Sequence, residues 1–143
     1  MRILIVNGPN LNLLGKRESD IYGDQTLSDI KSWFNKLDEA KHHSTDWFQS
    51  NHEGEIIDRL HQSINKIDGI IINPGAFTHY SYAIRDAIAA INITTIEIHL
   101  SDIKSREEFR KVSVIKDVCL TQIYGLGREG YQKAFNHLIS KIQ

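Results

Sequence analysis

The sequence predicts an α/β fold in which a five-stranded parallel sheet lies between helical layers. Two observations predict it. Short apolar, strand-like runs alternate with helical patterns along the chain. Five such alternations imply right-handed βαβ units and a sheet covered on both faces. A third observation bears on function: most of the strands empty into polar loops. In open sheets of this kind ligands bind beyond the carboxyl ends of the strands.

The strand-like runs are Arg2 to Asn7, Asp46 to Ser50, Gly69 to Asn73, Thr94 to His99 and Val118 to Tyr124. Thr26 reads as a helix cap with Asp29 as a variant capping box, and Leu27, Ile30, Phe34 and Leu37 follow at helical spacing. A second helix carries Ile56, Ile57, Leu60 and Ile64, and a third Ala83, Ile84, Ala87, Ile88 and Ile91. The last carries Tyr131, Ala134, Phe135, Leu138, Ile139 and Ile142. Both prolines, Pro9 and Pro74, fall just after strands, where a missing N–H is tolerated. For five strands the expected order is 2-1-3-4-5, a flavodoxin-like three-layer sandwich. At 143 residues, with no linker, repeat or low-complexity segment, one domain over residues 1–143 is expected.

A net charge of −1 argues against nucleic acid or a membrane surface as a partner. No apolar run approaches the ~20 residues of a membrane span. The chain enters its first strand at once, without signal-peptide architecture, so a cytoplasmic location is the default expectation. Cys119 is the one cysteine, and in its apolar setting it reads as a buried structural thiol. The seven histidines show no metal-ligand spacing, and His42-His43, in a polar turn, read as solvated.

The first loop carries the charged segment Gly15-Lys16-Arg17-Glu18-Ser19-Asp20-Ile21-Tyr22-Gly23, with a glycine at each end. It reads as an active-site lid in which the Arg17 cation favours phenolate over phenol at Tyr22. Asn73-Pro74-Gly75-Ala76-Phe77-Thr78-His79 has two readings. It is a turn with Thr78 as helix N-cap, or it projects the Asn73 amide and the His79 ring into a cleft. Glu97 and His99 share one strand face, so the carboxylate can orient the imidazole; a neutral core histidine is the alternative. The N–H groups of Leu100 and Ser101, with the Ser101 hydroxyl, can form a small anion cradle. Arg106 and Arg110 stand at i and i+4 on one expected helix face. They form a solvated Glu–Arg face or a clamp for a carboxylate or polyol. Gly125-Leu126-Gly127-Arg128-Glu129-Gly130 matches a dinucleotide fingerprint but lacks the strand and acidic residue that must follow. It reads as a glycine-rich lead into the last helix. The stretch after the second strand, Asn51 to Glu53, shows no clear chemical capacity. A flavodoxin-like binding module would need a Ser/Thr-rich phosphate loop or an acidic phospho-acceptor cluster. Asn10-Leu11-Asn12-Leu13-Leu14 offers neither.

Taken in order, these residues resemble the type II 3-dehydroquinate dehydratases. The resemblance rests on Asn7 to Gly15 with Arg17 and Ile21-Tyr22-Gly23, then on Gln49-Ser50-Asn51 with Glu53-Gly54-Glu55. It continues through Asn73-Pro74-Gly75-Ala76 with Thr78-His79, Arg85-Asp86-Ala87 and Glu97-Ile98-His99-Leu100-Ser101. Arg106-Glu107 with Phe109-Arg110, and Gly125-Leu126-Gly127, complete it. The resemblance implies a flavodoxin-like fold and dehydration of 3-dehydroquinate to 3-dehydroshikimate without cofactor or metal. It implies Tyr22 as base, His99 as acid and Arg17 as support for the tyrosinate. It further implies substrate contacts at Asn73, His79, Asp86, Leu100, Ser101 and Arg110, and Asn10 and Arg106 are expected to join them. It also implies trimers grouped into a dodecamer, with Asp86 reaching a neighbouring subunit's site. The chain departs from the family pattern at Ser19 and Asp102, which flank these groups.

The chemistry fits such groups. Removing a proton α to a ketone needs a strong base, and an unperturbed tyrosine titrates near ~10. Lowering that value by two units takes ~2.7 kcal/mol of preferential phenolate stabilisation, which a guanidinium in a drier site can supply. Asn73 can then donate to the enolate oxygen, and His99, oriented by Glu97, can protonate the departing hydroxyl.

Overall fold

Runs such as Ile3-Leu4-Ile5-Val6 and Ile70-Ile71-Ile72 are apolar on both faces, so each strand they form must be covered twice. The computed structural model shows that arrangement. It describes residues 1–16 and 19–143, except the side chains of Ser19 and Tyr22. The strands are β1 (Arg2–Asn7), β2 (Ser44–Gln49), β3 (Gly69–Asn73), β4 (Thr95–His99) and β5 (Thr121–Tyr124). They pair in parallel in the order β2-β1-β3-β4-β5. This is the expected flavodoxin-like order. Between the strands run α1 (Ser19–Tyr22), α2 (Leu27–Phe34), α3 (Glu53–His61), α4 (Tyr82–Ile91) and α5 (Glu129–Ile142).

Strand alternation divides the core in two. Ile3, Ile5, Ile71, Ile96, Ile98 and Ile123 face one side, against Ile30 and Phe34 of α2 and Phe135 and Leu138 of α5. Leu4, Val6, Ile70 and Ile72 face the other, against Ile56 and Leu60 of α3 and Ile84 and Ile88 of α4. Each helix therefore buries one stripe of its surface, as its apolar spacing dictates. The capping box at α2 forms as expected, with Thr26 Oγ1 accepting from the Asp29 N–H and Asp29 accepting from the Thr26 N–H.

Several boundaries differ from the sequence reading. α2 stops at Phe34 and α3 at His61, short of Leu37 and Ile64. β5 begins at Thr121, because Lys116–Val118 form a 3-10 turn. Thr78 is not an N-cap: Gly75–His79 form a 3-10 turn, and the Ser81 hydroxyl caps α4 by accepting from the Ile84 N–H at 3.0 Å. Arg106 and Arg110 do not share a helix either. The chain there makes 3-10 turns at Ile103–Ser105 and Glu108–Lys111. His43 is not solvated: its ring packs edge-on against Phe135 and its Nδ1 is buried. Among the described residues, no helix is long and apolar enough to cross a membrane.

Candidate active site

The carboxyl ends of β1, β3 and β4 open into a cleft of about 110 Å³. Topology explains its position, because β1 and β3 are neighbours whose connections leave on opposite faces. Asn10 comes from the loop after β1, Asn73 from the end of β3, and His79 from the 3-10 turn beyond it. His99 closes β4, Leu100 and Ser101 follow it, and Arg106 and Arg110 complete the wall. Eight of the expected site residues thus meet around one space. Asp86 does not: it is exposed on α4, away from the cleft of its own chain. Tyr22 ends α1, while its side chain, and Arg17 altogether, lie outside the described residues.

Glu97 and His99 form a buried dyad. The carboxylate is fully buried and the imidazole is 5% exposed. His99 Nε2 lies 2.7 Å from Glu97 Oε1, the pairing that a shared strand face allows. Burial opposes the charge on Glu97. Hydrogen bonds from His99, Thr78 and Gln122 outweigh that cost and hold the carboxyl below its ordinary value. With Glu97 ionised, Nε2 carries a proton and donates it. Nδ1 is then the His99 nitrogen left for a molecule in the cleft.

His79 is held differently. Its Nδ1 lies 2.6 Å from the Val112 carbonyl oxygen, which accepts, and Phe109 packs edge-on against the ring. Burial pulls its pKa down, helped by the nearby His99 and Arg110, so the ring is neutral at neutral pH. Arg110 faces the cleft and is also ion-paired. It lines the cleft, and its Nε donates to Glu107 at 2.6 Å while the guanidinium stacks on Phe109. Arg106 Nη1 donates to the Ser101 hydroxyl at 3.3 Å, tying the two sides of the cleft wall together.

Other residues hold this wall in place, and little in the sequence pattern pointed to them. Asn10 adopts φ 68°, a left-handed conformation that asparagine tolerates. Its N–H donates to Asn51 Oδ1 at 2.9 Å, and Gln49 Nε2 donates to the Gly8 carbonyl at 3.1 Å. The stretch after β2 is therefore not idle, since it fixes the loop that carries Asn10. Tyr131, fully buried on α5, donates its hydroxyl proton to Asn7 and lies within hydrogen-bond reach of Asn73. Burial pushes its pKa up, so it stays a phenol. Gly8 approaches β3 so closely that a Cβ there would sit 2.5 Å from the Pro74 carbonyl oxygen.

The Gly125-Leu126-Gly127 run leads into the last helix, as its sequence suggested, and it also serves the site. The N–H groups of Gly125 and Gly127 donate to the carbonyls of Ser101 and Leu100, both at 3.0 Å. Both glycines have positive φ, 77° and 54°, which a side chain would disfavour. Cys119 is partly buried against the α4 side of the core, and burial pushes its thiol up to about 12.

Comparison with known proteins gives the family. The family model for "Dehydroquinase class II" matches residues 1–139. A 3-dehydroquinate dehydratase of Caldicellulosiruptor saccharolyticus is 58% identical over 131 residues, covering 91% of this chain and 90% of the relative. The 3-dehydroquinate dehydratase of Bacillus subtilis is 51% identical over 138 residues, covering 96% and 93%. The crystal structure of a type II dehydroquinase from Butyrivibrio crossotus superposes with a TM-score of 0.94 at 49% identity, covering 97% of each chain. Sequence, fold and site geometry lead to the same assignment, and the chain belongs to the class II dehydroquinase family.

Proposed function

We propose that this protein dehydrates 3-dehydroquinate to 3-dehydroshikimate, by anti elimination through an enolate, as a step of the shikimate route to aromatic amino acids. The observation that carries the reading is the buried Glu97–His99 dyad opening into a cleft with Asn73, Ser101 and Arg110. That set matches the chemistry of a hydroxylated ring acid: an acid for the leaving hydroxyl, an amide for an enolate, and donors for a carboxylate. A non-catalytic flavodoxin-like module is not favoured, because the matching family and the relatives named above are dehydroquinases.

In the proposed cycle Tyr22, as phenolate beside Arg17, removes the proton α to the ketone. Asn73 donates to the resulting enolate oxygen, directly or through a held water. The charge of Glu97 stabilises the imidazolium of His99, which protonates the departing hydroxyl from Nδ1. Leu100 and Ser101 hold the substrate carboxylate through backbone N–H and hydroxyl donors. Arg110 and His79 hold ring hydroxyls, while Asn10 and Arg106 close the cleft on either side. Residues 1–143 act as a single catalytic domain. The chain assembles as trimers grouped into a dodecamer in the cytoplasm, and exposed Asp86 on α4 completes the site of a neighbouring subunit.

The test is to add 3-dehydroquinate to the purified protein and follow the ultraviolet absorbance of the conjugated enone. Wild-type protein should generate it catalytically, and its absence at micromolar enzyme would remove the proposal.

A further inference from the structure

The proposed dehydration uses one contact of Glu97, yet the carboxylate makes several. Thr78 Oγ1 donates to Oε1, Gln122 Nε2 donates to Oε1 at 3.0 Å, and Ser113 Oγ lies 3.0 and 2.9 Å from the two oxygens. Ser113 Oγ also accepts from the Ile115 and Lys116 N–H groups, at 3.3 and 3.1 Å, and lies 3.0 Å from Thr78 Oγ1; both hydroxyls reach Glu97, the charged acceptor between them. With His99 Nε2, four donors reach the carboxylate: His99, Thr78 and Gln122 meet on Oε1, and Ser113 lies within reach of both oxygens. A protonated Glu97 would be a poorer acceptor for all four, and the fully buried side chain has no access to solvent that could compensate.

Each donor comes from a different part of the fold. Gln122 is the register partner of Glu97 on β5. Thr78 belongs to the 3-10 turn after β3, and Ser113 to the segment leading from the arginine turns to β5. We propose that Thr78, Ser113 and Gln122 are positioning residues of the dehydration: they lock Glu97 as a charged acceptor, which points His99 Nδ1 at the leaving hydroxyl. This inference rests on the dehydratase reading of the cleft. Among the described residues, Glu97 interacts with titratable groups on three elements: His99 on its own strand, His79 in the 3-10 turn and Cys119 on the approach to β5. His79 and Cys119 stay neutral near neutrality, because burial lowers the first and raises the second.

The experiment compares Gln122→Met, Thr78→Val and Thr78→Ser with the wild type. Each lost donor makes the carboxylate easier to protonate. Carbon-13 spectra of the Glu97 carboxyl should then titrate about one pH unit higher than in the wild type, and kcat should fall about ten-fold as His99 loses its fixed orientation, with KM within about two-fold. Thr78→Ser keeps the hydroxyl and should restore both. A merely structural role would lower folded yield and leave the Glu97 titration in place, and an unmoved titration in Gln122→Met and Thr78→Val overturns the proposal. Should Thr78→Val fail to fold, Gln122→Met at the half-buried position decides the matter. Nitrogen-15 spectra of the His99 ring in wild-type protein give a reading independent of turnover. A proton on Nε2 supports the cradle, and a neutral ring with its proton on Nδ1 overturns it. If 3-dehydroquinate is not turned over at all, the functional reading falls while the ring spectrum still judges the cradle.

Discussion

At the scale of single residues, the site is a set of polar groups that folding has taken out of water and then paired. Glu97 shows how the balance falls. Burial alone would raise its pKa, but its hydrogen-bond donors reverse the sign, so the folded carboxyl lies below the ordinary 4.5. A carboxyl lowered in the folded state adds stability that is present above the unfolded pKa and lost as pH falls through the folded value. Glu97→Gln should therefore flatten the acid side of the stability curve below about pH 4.5, measured by urea unfolding at a series of pH values. The same substitution removes the charge that supports an imidazolium at His99, and kcat should fall by about two orders of magnitude with binding retained. Tyr131 is a second case. Its hydroxyl holds Asn7 and reaches Asn73, so Tyr131→Phe should cost about 1–2 kcal/mol of stability and lower kcat more than it changes KM. Wild-type kcat in that variant would show that Asn73 needs no such support. Glu97 and His99 were legible in the sequence because strand alternation alone puts them on one face. Thr78, Ser113, Gln122 and Tyr131 were not. Their contacts depend on register and on a separation of up to 124 residues, which periodicity does not report.

At the scale of elements, apolar spacing revealed the strands and the four longer helices, because each buries a regular stripe. The short pieces escaped it. The turns at Gly75–His79, Ile103–Ser105, Glu108–Lys111 and Lys116–Val118 are 3-10 segments of three to five residues. They are held by local hydrogen bonds rather than by an apolar stripe, so they leave no periodic mark. That is why Arg106 and Arg110 read as helix neighbours although they meet only across the cleft wall. The glycine turn after β5 read correctly as a lead into the last helix, but spacing gave no sign that its N–H groups hold the Leu100 and Ser101 carbonyls. Gly127→Ala keeps the N–H but forces a side chain to φ 54°, at a cost of about 1 kcal/mol. KM for 3-dehydroquinate should rise several-fold as the proposed carboxylate cradle loosens; an unchanged KM would separate this turn from binding. At the capping box, Thr26→Ala should lower stability by about 1 kcal/mol in urea unfolding and leave the position of the pH limbs untouched.

At the scale of the whole molecule, the sheet order places the cleft and the helices leave Asp86 facing outward. The proposed dodecamer makes a prediction that a monomer cannot meet. Asp86→Ala and Tyr22→Phe should each be nearly inactive. Mixed under conditions that allow subunits to exchange, they should regain activity, because some sites then combine an intact Tyr22 with a neighbour's intact Asp86. No recovery after demonstrated exchange would confine the site to one chain. The central claim is a division of labour, with Tyr22 taking the proton and the Glu97–His99 pair expelling the hydroxyl. Its most direct test follows hydrogen exchange at the α carbon of 3-dehydroquinate in deuterated water, alongside enone formation. The account predicts that His99→Ala still exchanges the α hydrogen while forming enone at least a hundred-fold more slowly, and that Tyr22→Phe does neither. Exchange at the wild-type rate in Tyr22→Phe would contradict it.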